Sequence, residues 1–176
     1  MNTKFIYISL LIFISALSRL LPHPPEFTPV LAISIFAGAT LFSKKEAILI
    51  PILSLFISDI FIGFHSLIPV VYGTMALISL ISFYSLKQRN ILKIAGVGLG
   101  SGILFFFTTN LAVFLTSGMY TQNMEGFIQC FTLAIPFFRN SLAGIAVYAS
   151  LLFSILYLIE TFVLNKKELK SISIKS

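Results

Sequence analysis

Few side chains in this 176-residue chain have the chemistry to recognise or transform a small molecule. Inside or beside its apolar runs stand Arg19, His23, Asp59, His65, Asn110, Arg139 and Asn140, while Glu26 reads as a solvated loop residue. Their types suit recognition more than catalysis. The planar guanidinium of arginine fits carboxylate, phosphate or acceptor-rich groups in a bidentate way. Asp59 would orient such an arginine or accept from a donor on a ligand. It would equally serve as half of a structural ion pair, with either Arg19 or Arg139 as its partner. Glu46 and Glu160 lie far from it at the other ends of their runs, so no pair of carboxylates is available for acid–base work. The sequence contains no G-x-S-x-G or HExxH pattern, and "GVGLGSG" (96–102) lacks the Lys-Ser/Thr and the preceding strand of a phosphate loop. His23 and His65 have no HxxxH or Cys/His spacing that would make a zinc site. The single Cys130 excludes an intramolecular disulfide and a multi-cysteine metal site. The expectation is a non-enzymatic protein with no cofactor and no metal.

The elements that must position these groups are read from hydropathy. The chain is 57% apolar and only 10% charged, where a soluble domain averages about 25% charged residues. Its mean hydropathy is +1.00. Runs such as Phe5–Leu17, Ile48–Ile57 and Leu142–Ile159 leave no face for water. These features predict an all-α integral membrane bundle. A span needs about 20 apolar residues, and six are expected, at 4–21, 28–43, 46–64, 68–86, 91–115 and 139–163. The apolar piece Phe127–Phe138 would reach only about 18 Å as a helix, so it reads as a short surface or re-entrant helix before the last span. The first run reads as an ordinary span and not as a cleaved signal peptide. Residues 1–164 form one transmembrane domain, and 165–176 a basic cytoplasmic tail.

Charge sets the expected orientation. With both ends in the cytoplasm, every Lys and Arg except Arg19 and Arg139 falls on the inner side, as the positive-inside rule requires. A seventh span would put the tail lysines outside. The net charge of +6 is therefore a topology signal and implies no nucleic-acid partner. Prolines in "FTPVL", "LIPVV" and "AIPFF" mark the outer starts of helices two, four and six, with Thr28 as N-cap of the second. At 100° per residue, Arg139, Ala143, Ala146, Ser150 and Tyr157 share one face of the last helix, and Gly96, Gly100 and Asn110 one face of the fifth. Small residues mark close helix contacts in membranes, so both faces are expected to point into the bundle. Arg139 would then open the last helix at the outer mouth and turn inward, avoiding the cost of about 2.5–3.5 kcal/mol for an arginine at the bilayer centre.

Segments 18–39 ("SRLLPHPPEFTPVLAISIFAGA"), 51–65 ("PILSLFISDIFIGFH"), 71–73 ("VYG"), 109–115 ("TNLAVFL") and 135–144 ("IPFFRNSLAG") are similar to a group of small bacterial membrane proteins assigned to transport. That group resembles the substrate-binding (S) components of energy-coupling-factor (ECF) vitamin transporters. The resemblance implies six helices in the plasma membrane and a vitamin-like ligand held near the outer face. It implies partnership with a membrane coupling subunit and two ATPase subunits, and it adds Tyr72 to the candidate residues. The chain departs from the pattern on helix one, where the Ala-x-x-x-Ala surface that meets the coupling subunit is absent. Ser9, Ser15 and Ala16 are the nearest small residues there. The expected function is capture, at an outer-facing pocket, of a small vitamin-like organic solute with anionic or acceptor-rich groups for uptake, with Arg139, Asn140, Asp59, Asn110, Arg19, His65, His23 and Tyr72 around the ligand. The alternatives are a membrane scaffold or assembly subunit whose polar cluster is a brace and, behind it, an intramembrane enzyme.

Overall fold

Capping residues divide the apolar sequence into helices. Ser43 and Glu46 form a reciprocal capping box: Ser43 Oγ accepts from the Glu46 N–H at 3.2 Å, and Glu46 Oε2 accepts from the Ser43 N–H at 3.1 Å. This pairing satisfies two otherwise unpaired donors and starts α3 (Lys44–Ile62). Asn90 caps α5 (Ile91–Thr116) and Asn123 caps α6 (Met124–Leu158). The remaining helices are α1 (Thr3–Leu17), extended by a 3-10 turn at Ser18–Leu20, α2 (Val30–Thr40) and α4 (Ile68–Ser85). A wider π turn, Ile159–Leu164, continues α6. The computed structural model describes residues 3–164. The predicted tail, with Lys166, Lys167, Lys170 and Lys175, lies outside the described residues.

The architecture is all-α, and α2 is its centre. This helix packs against α1, α3, α4, α5 and α6, and all its residues except Ala39 are buried. A helix apolar all round is one surrounded by protein or lipid. Its closest approach is to α4. A Cβ on Gly38 would collide with the Ser79 carbonyl and come within 2.6 Å of Ser82 Cβ, so glycine lets the two backbones meet. At 11 residues, α2 is only about 16 Å long.

Among the described residues, three helices are long and apolar enough to cross a membrane: α4, α5, and α6 with its continuation to Phe162. Large apolar side chains cover their outer surfaces, including Leu99, Ile103 and Phe107 on α5 and Leu133, Leu151 and Ile155 on α6. A surface of this kind belongs to a membrane protein. Six helices follow the expected order, but among the described residues only these three of the six expected spans have the length and hydropathy of a crossing, and α2 is shorter than the expected 28–43. It stops where Leu41 turns extended.

Two expectations are corrected. The segment Phe127–Phe138 is no separate surface or re-entrant helix. It forms the first part of α6, which runs unbroken through Pro136 for 35 residues, or about 52 Å. The segment has its own partner in α5, through Phe106–Phe131 (ring centroids 5.6 Å), Phe114–Phe127 (5.5 Å) and Phe106–Phe138 (4.9 Å). Proline inside an apolar helix is tolerated where neighbouring groups re-satisfy the freed backbone. The second correction concerns the faces. Arg139, Ala143, Ala146, Ser150 and Tyr157 are all exposed, and Gly96 and Gly100 meet open space. The inward faces carry Ser141, Gly144, Ile145 and Ala149 on α6 and Gly98 and Gly102 on α5. A Cβ on Gly102 would lie 2.7 Å from Leu142 Cδ2. Helical period says which residues share a face, while small residues alone do not say which way it points.

One end of the bundle gathers basic groups. Lys4 Nζ lies 2.6 Å and Arg89 Nη1 3.0 Å from Glu160 Oε1, and Lys44 Nζ sits 5.0 Å above the Tyr84 ring. These contacts bring together the starts of α1 and α3, the α4–α5 turn and the end of α6.

Candidate functional site

The opposite end of the bundle is built around a proline-rich loop, residues 21–29. Pro22, Pro24 and Pro25 supply no backbone donors, and the turn closes through Phe27 N–H to Pro24 O and Thr28 N–H to Glu26 O, both 3.0 Å. Glu26 adopts φ 63°, a left-handed conformation uncommon for a residue with a Cβ. Helix α6 holds the loop from one side. Asn140 Nδ2 donates to Pro25 O at 2.9 Å, Gly144 leaves room for the Thr28 backbone, and Tyr148 stands 5.8 Å from the Phe27 ring. Spaced four apart, these three residues lie on one face of the helix.

Beside the loop, Arg19 ties α1 to α3. Its Nη1 donates to Ser58 Oγ at 2.7 Å and forms a 2.7 Å ion pair with Asp59 Oδ1. That pair is close, yet without an aligned hydrogen bond on Oδ1. Tyr72 on α4 donates its hydroxyl to Asp59 Oδ2 at 2.6 Å. Asp59 is 3% exposed, so its charge is balanced inside the protein.

These elements enclose a cavity of about 170 Å³. Its polar lining is Arg19, Glu26, Thr28, His65, Thr109 and Ser141; its apolar lining is Val30, Leu31, Leu67, Val71 and Phe105. The Glu26 carboxyl has no hydrogen bond or ion pair among the described residues. Although Glu26 is exposed at the mouth as a whole, desolvation of its carboxyl raises the pKa above the usual 4.5, outweighing the lowering fields of Arg19, His23 and His65. Among the described residues no group of three or more His, Cys, Asp or Glu side chains is arranged to hold a metal.

The predicted site residues separate clearly. Arg19, Asp59, Tyr72 and His65 come together, and Arg19 is the partner of Asp59 that the sequence left open. Asn140 is near them but holds the loop. His23 is exposed, its Nδ1 bonded to Leu21 O at 2.6 Å. Asn110 donates to Phe106 O of its own helix at 2.7 Å, and the adjacent Thr109 faces the cavity instead. Arg139 is exposed halfway along α6, with no hydrogen bond or ion pair among the described residues. The two arginines on which an anionic ligand was expected are thus one neutralised and one outside. Sequence reasoning took Glu26 for a solvated loop residue and passed over Ser141. The signal for Glu26 was its place in "PHPPEFTP", where prolines confine the backbone on both sides. A larger groove of about 950 Å³ runs between α5 and α6 at the basic end; it opens outward and is mainly apolar.

Residues 1–168 match the model of a family described as a family of unknown function (DUF6580). No curated protein and no solved structure matches the chain.

Proposed function

We propose that this chain, which belongs to the DUF6580 family, captures a small organic solute at an outward-facing cavity and takes part in its uptake across the plasma membrane. The observation that carries this reading is the cavity itself. A bundle with long apolar helices keeps a pocket with Arg19, Glu26, His65, Thr109 and Ser141 on its walls, beneath a loop pinned by Asn140. Polar groups among apolar helices are expensive and mark ligand pathways. The proposed orientation is supported by the basic end, where Lys4, Lys44 and Arg89 gather on what would be the cytoplasmic side. The cavity then opens outward, with both chain ends inside. A binding role without catalysis fits a site with one free carboxylate. Partnership with an ECF coupling subunit and its ATPase subunits is the form of transport that the resemblance to S components favours.

The buried Arg19–Asp59–Tyr72 network favours a second reading, a scaffold in which these groups are a brace. The two readings part experimentally. Protein purified in mild detergent is extracted with solvent, and the released small molecules are identified by mass spectrometry. A solute retained by wild type and lost from a cavity-filling Thr109→Trp variant of unchanged thermal stability supports capture. Equal retention by both would remove the cavity from the function.

A further inference from the structure

We propose that the cavity takes a small organic cation, an amine on a compact apolar body, and that Glu26 is the carboxylate that binds it. This rests on the reading of the cavity as a ligand site and adds the sign of the ligand's charge. The argument is one of balance. Arg19, the arginine on the lining, is paired at 2.7 Å with Asp59, which is not part of the lining, and the pair leaves little net field. Glu26 is the remaining acid on the lining, and its carboxyl has no protein partner among the described residues. Its backbone is held at φ 63° by a loop that α6 fixes through Asn140 and Gly144. Strain of this kind persists only where the surroundings enforce it, and it clusters at binding sites.

The rest of the lining fits the same ligand. Val30, Leu31, Val71 and Phe105 give an apolar wall for the body, while Thr109 and Ser141 offer hydroxyls. The titratable and charged groups acting on Glu26 are Arg19, His23 and His65; α4, α5 and α6 contribute no charged residue to the lining.

Three probes of one shape and different charge test the assignment: benzylamine, benzyl alcohol and benzoate, titrated calorimetrically into the full-length protein in nanodiscs. Benzylamine is expected to bind at least about tenfold more tightly than benzyl alcohol, as charge-assisted hydrogen bonds exceed neutral ones. Its affinity should rise with pH above 4.5 as Glu26 ionises. Glu26→Gln should abolish the preference while leaving benzyl alcohol binding intact, and Glu26→Asp should restore it. Tightest binding of benzoate would overturn the cation assignment and spare the cavity. So would a benzylamine preference that survives in Glu26→Gln. If none of the probes binds while Thr109→Trp still expels a copurified solute, the amine assignment also falls and the capture reading stands.

Discussion

Arg19 and Arg139 carry the same charge and occupy opposite situations. Arg19 closes a network in which Asp59 is 3% exposed and bonded by Tyr72 at 2.6 Å. Removing one partner of a buried pair leaves the other charge uncompensated, at a cost of about 3–5 kcal/mol. Arg19→Ala should therefore lower the midpoint of unfolding sharply in detergent. Arg19→Ala combined with Asp59→Asn should recover part of the loss, because the charge is then gone. Arg139 stands exposed, and surface changes away from such features stay within about 0.5 kcal/mol. Arg139→Ala should leave the midpoint nearly unmoved, as measured by thermal or denaturant unfolding. A large effect at Arg139 would contradict the outward orientation of that face of α6.

At the scale of elements, glycine positions separate contact from open space. Gly38 lies against the α4 backbone, so Gly38→Leu should overpack the α2–α4 interface and destabilise by about 1–3 kcal/mol or more. Gly100→Leu, with nothing within 4 Å, should be tolerated. Comparing the fraction of monodisperse protein and its melting temperature for the two variants checks this. The same pair explains what was legible in the sequence. Helix order was readable from the apolar runs, but the starts were not: Pro29 and not Thr28 precedes α2, Pro136 lies inside α6, and the local caps Ser43–Glu46, Asn90 and Asn123 are not among the signals that apolar runs carry. Facing was not, since Gly96–Gly100 and Gly98–Gly102 are equally spaced and only the neighbour, with Leu142 and Ile145, selects one pair. The unity of α6 was hidden for a related reason. A length argument weighs Phe127–Phe138 alone, whereas the segment leans on Phe106 and Phe114 of α5. In the site, Arg19, Asp59 and His65 stood out as polar groups in apolar surroundings. Glu26 did not, because its role depends on a loop clamped by Asn140 across a long sequence separation.

For the whole molecule, the proposed orientation puts the 117–123 connection outside and the 86–90 connection inside. Cys130 is free and 2% exposed, so thiol reagents should leave it largely unlabelled and give a silent background. A cysteine introduced at Gln122 should react with an impermeant maleimide in intact cells. One at Gln88 should react only after permeabilisation. The reverse pattern would invert the bundle and turn the cavity toward the cytoplasm.

The short central helix has a consequence for biogenesis. A segment of about 16 Å is a poor substrate for independent partitioning into a hydrocarbon layer about 30 Å thick. Its neighbours would have to draw α2 in, so its insertion should be a late, post-recognition event governed by α3 and α4. Truncating the nascent chain before α4 should leave α2 accessible to the aqueous phase, and the emergence of α4, with Ser79 and Ser82 facing Gly38, would be the step that commits the protein to its fold.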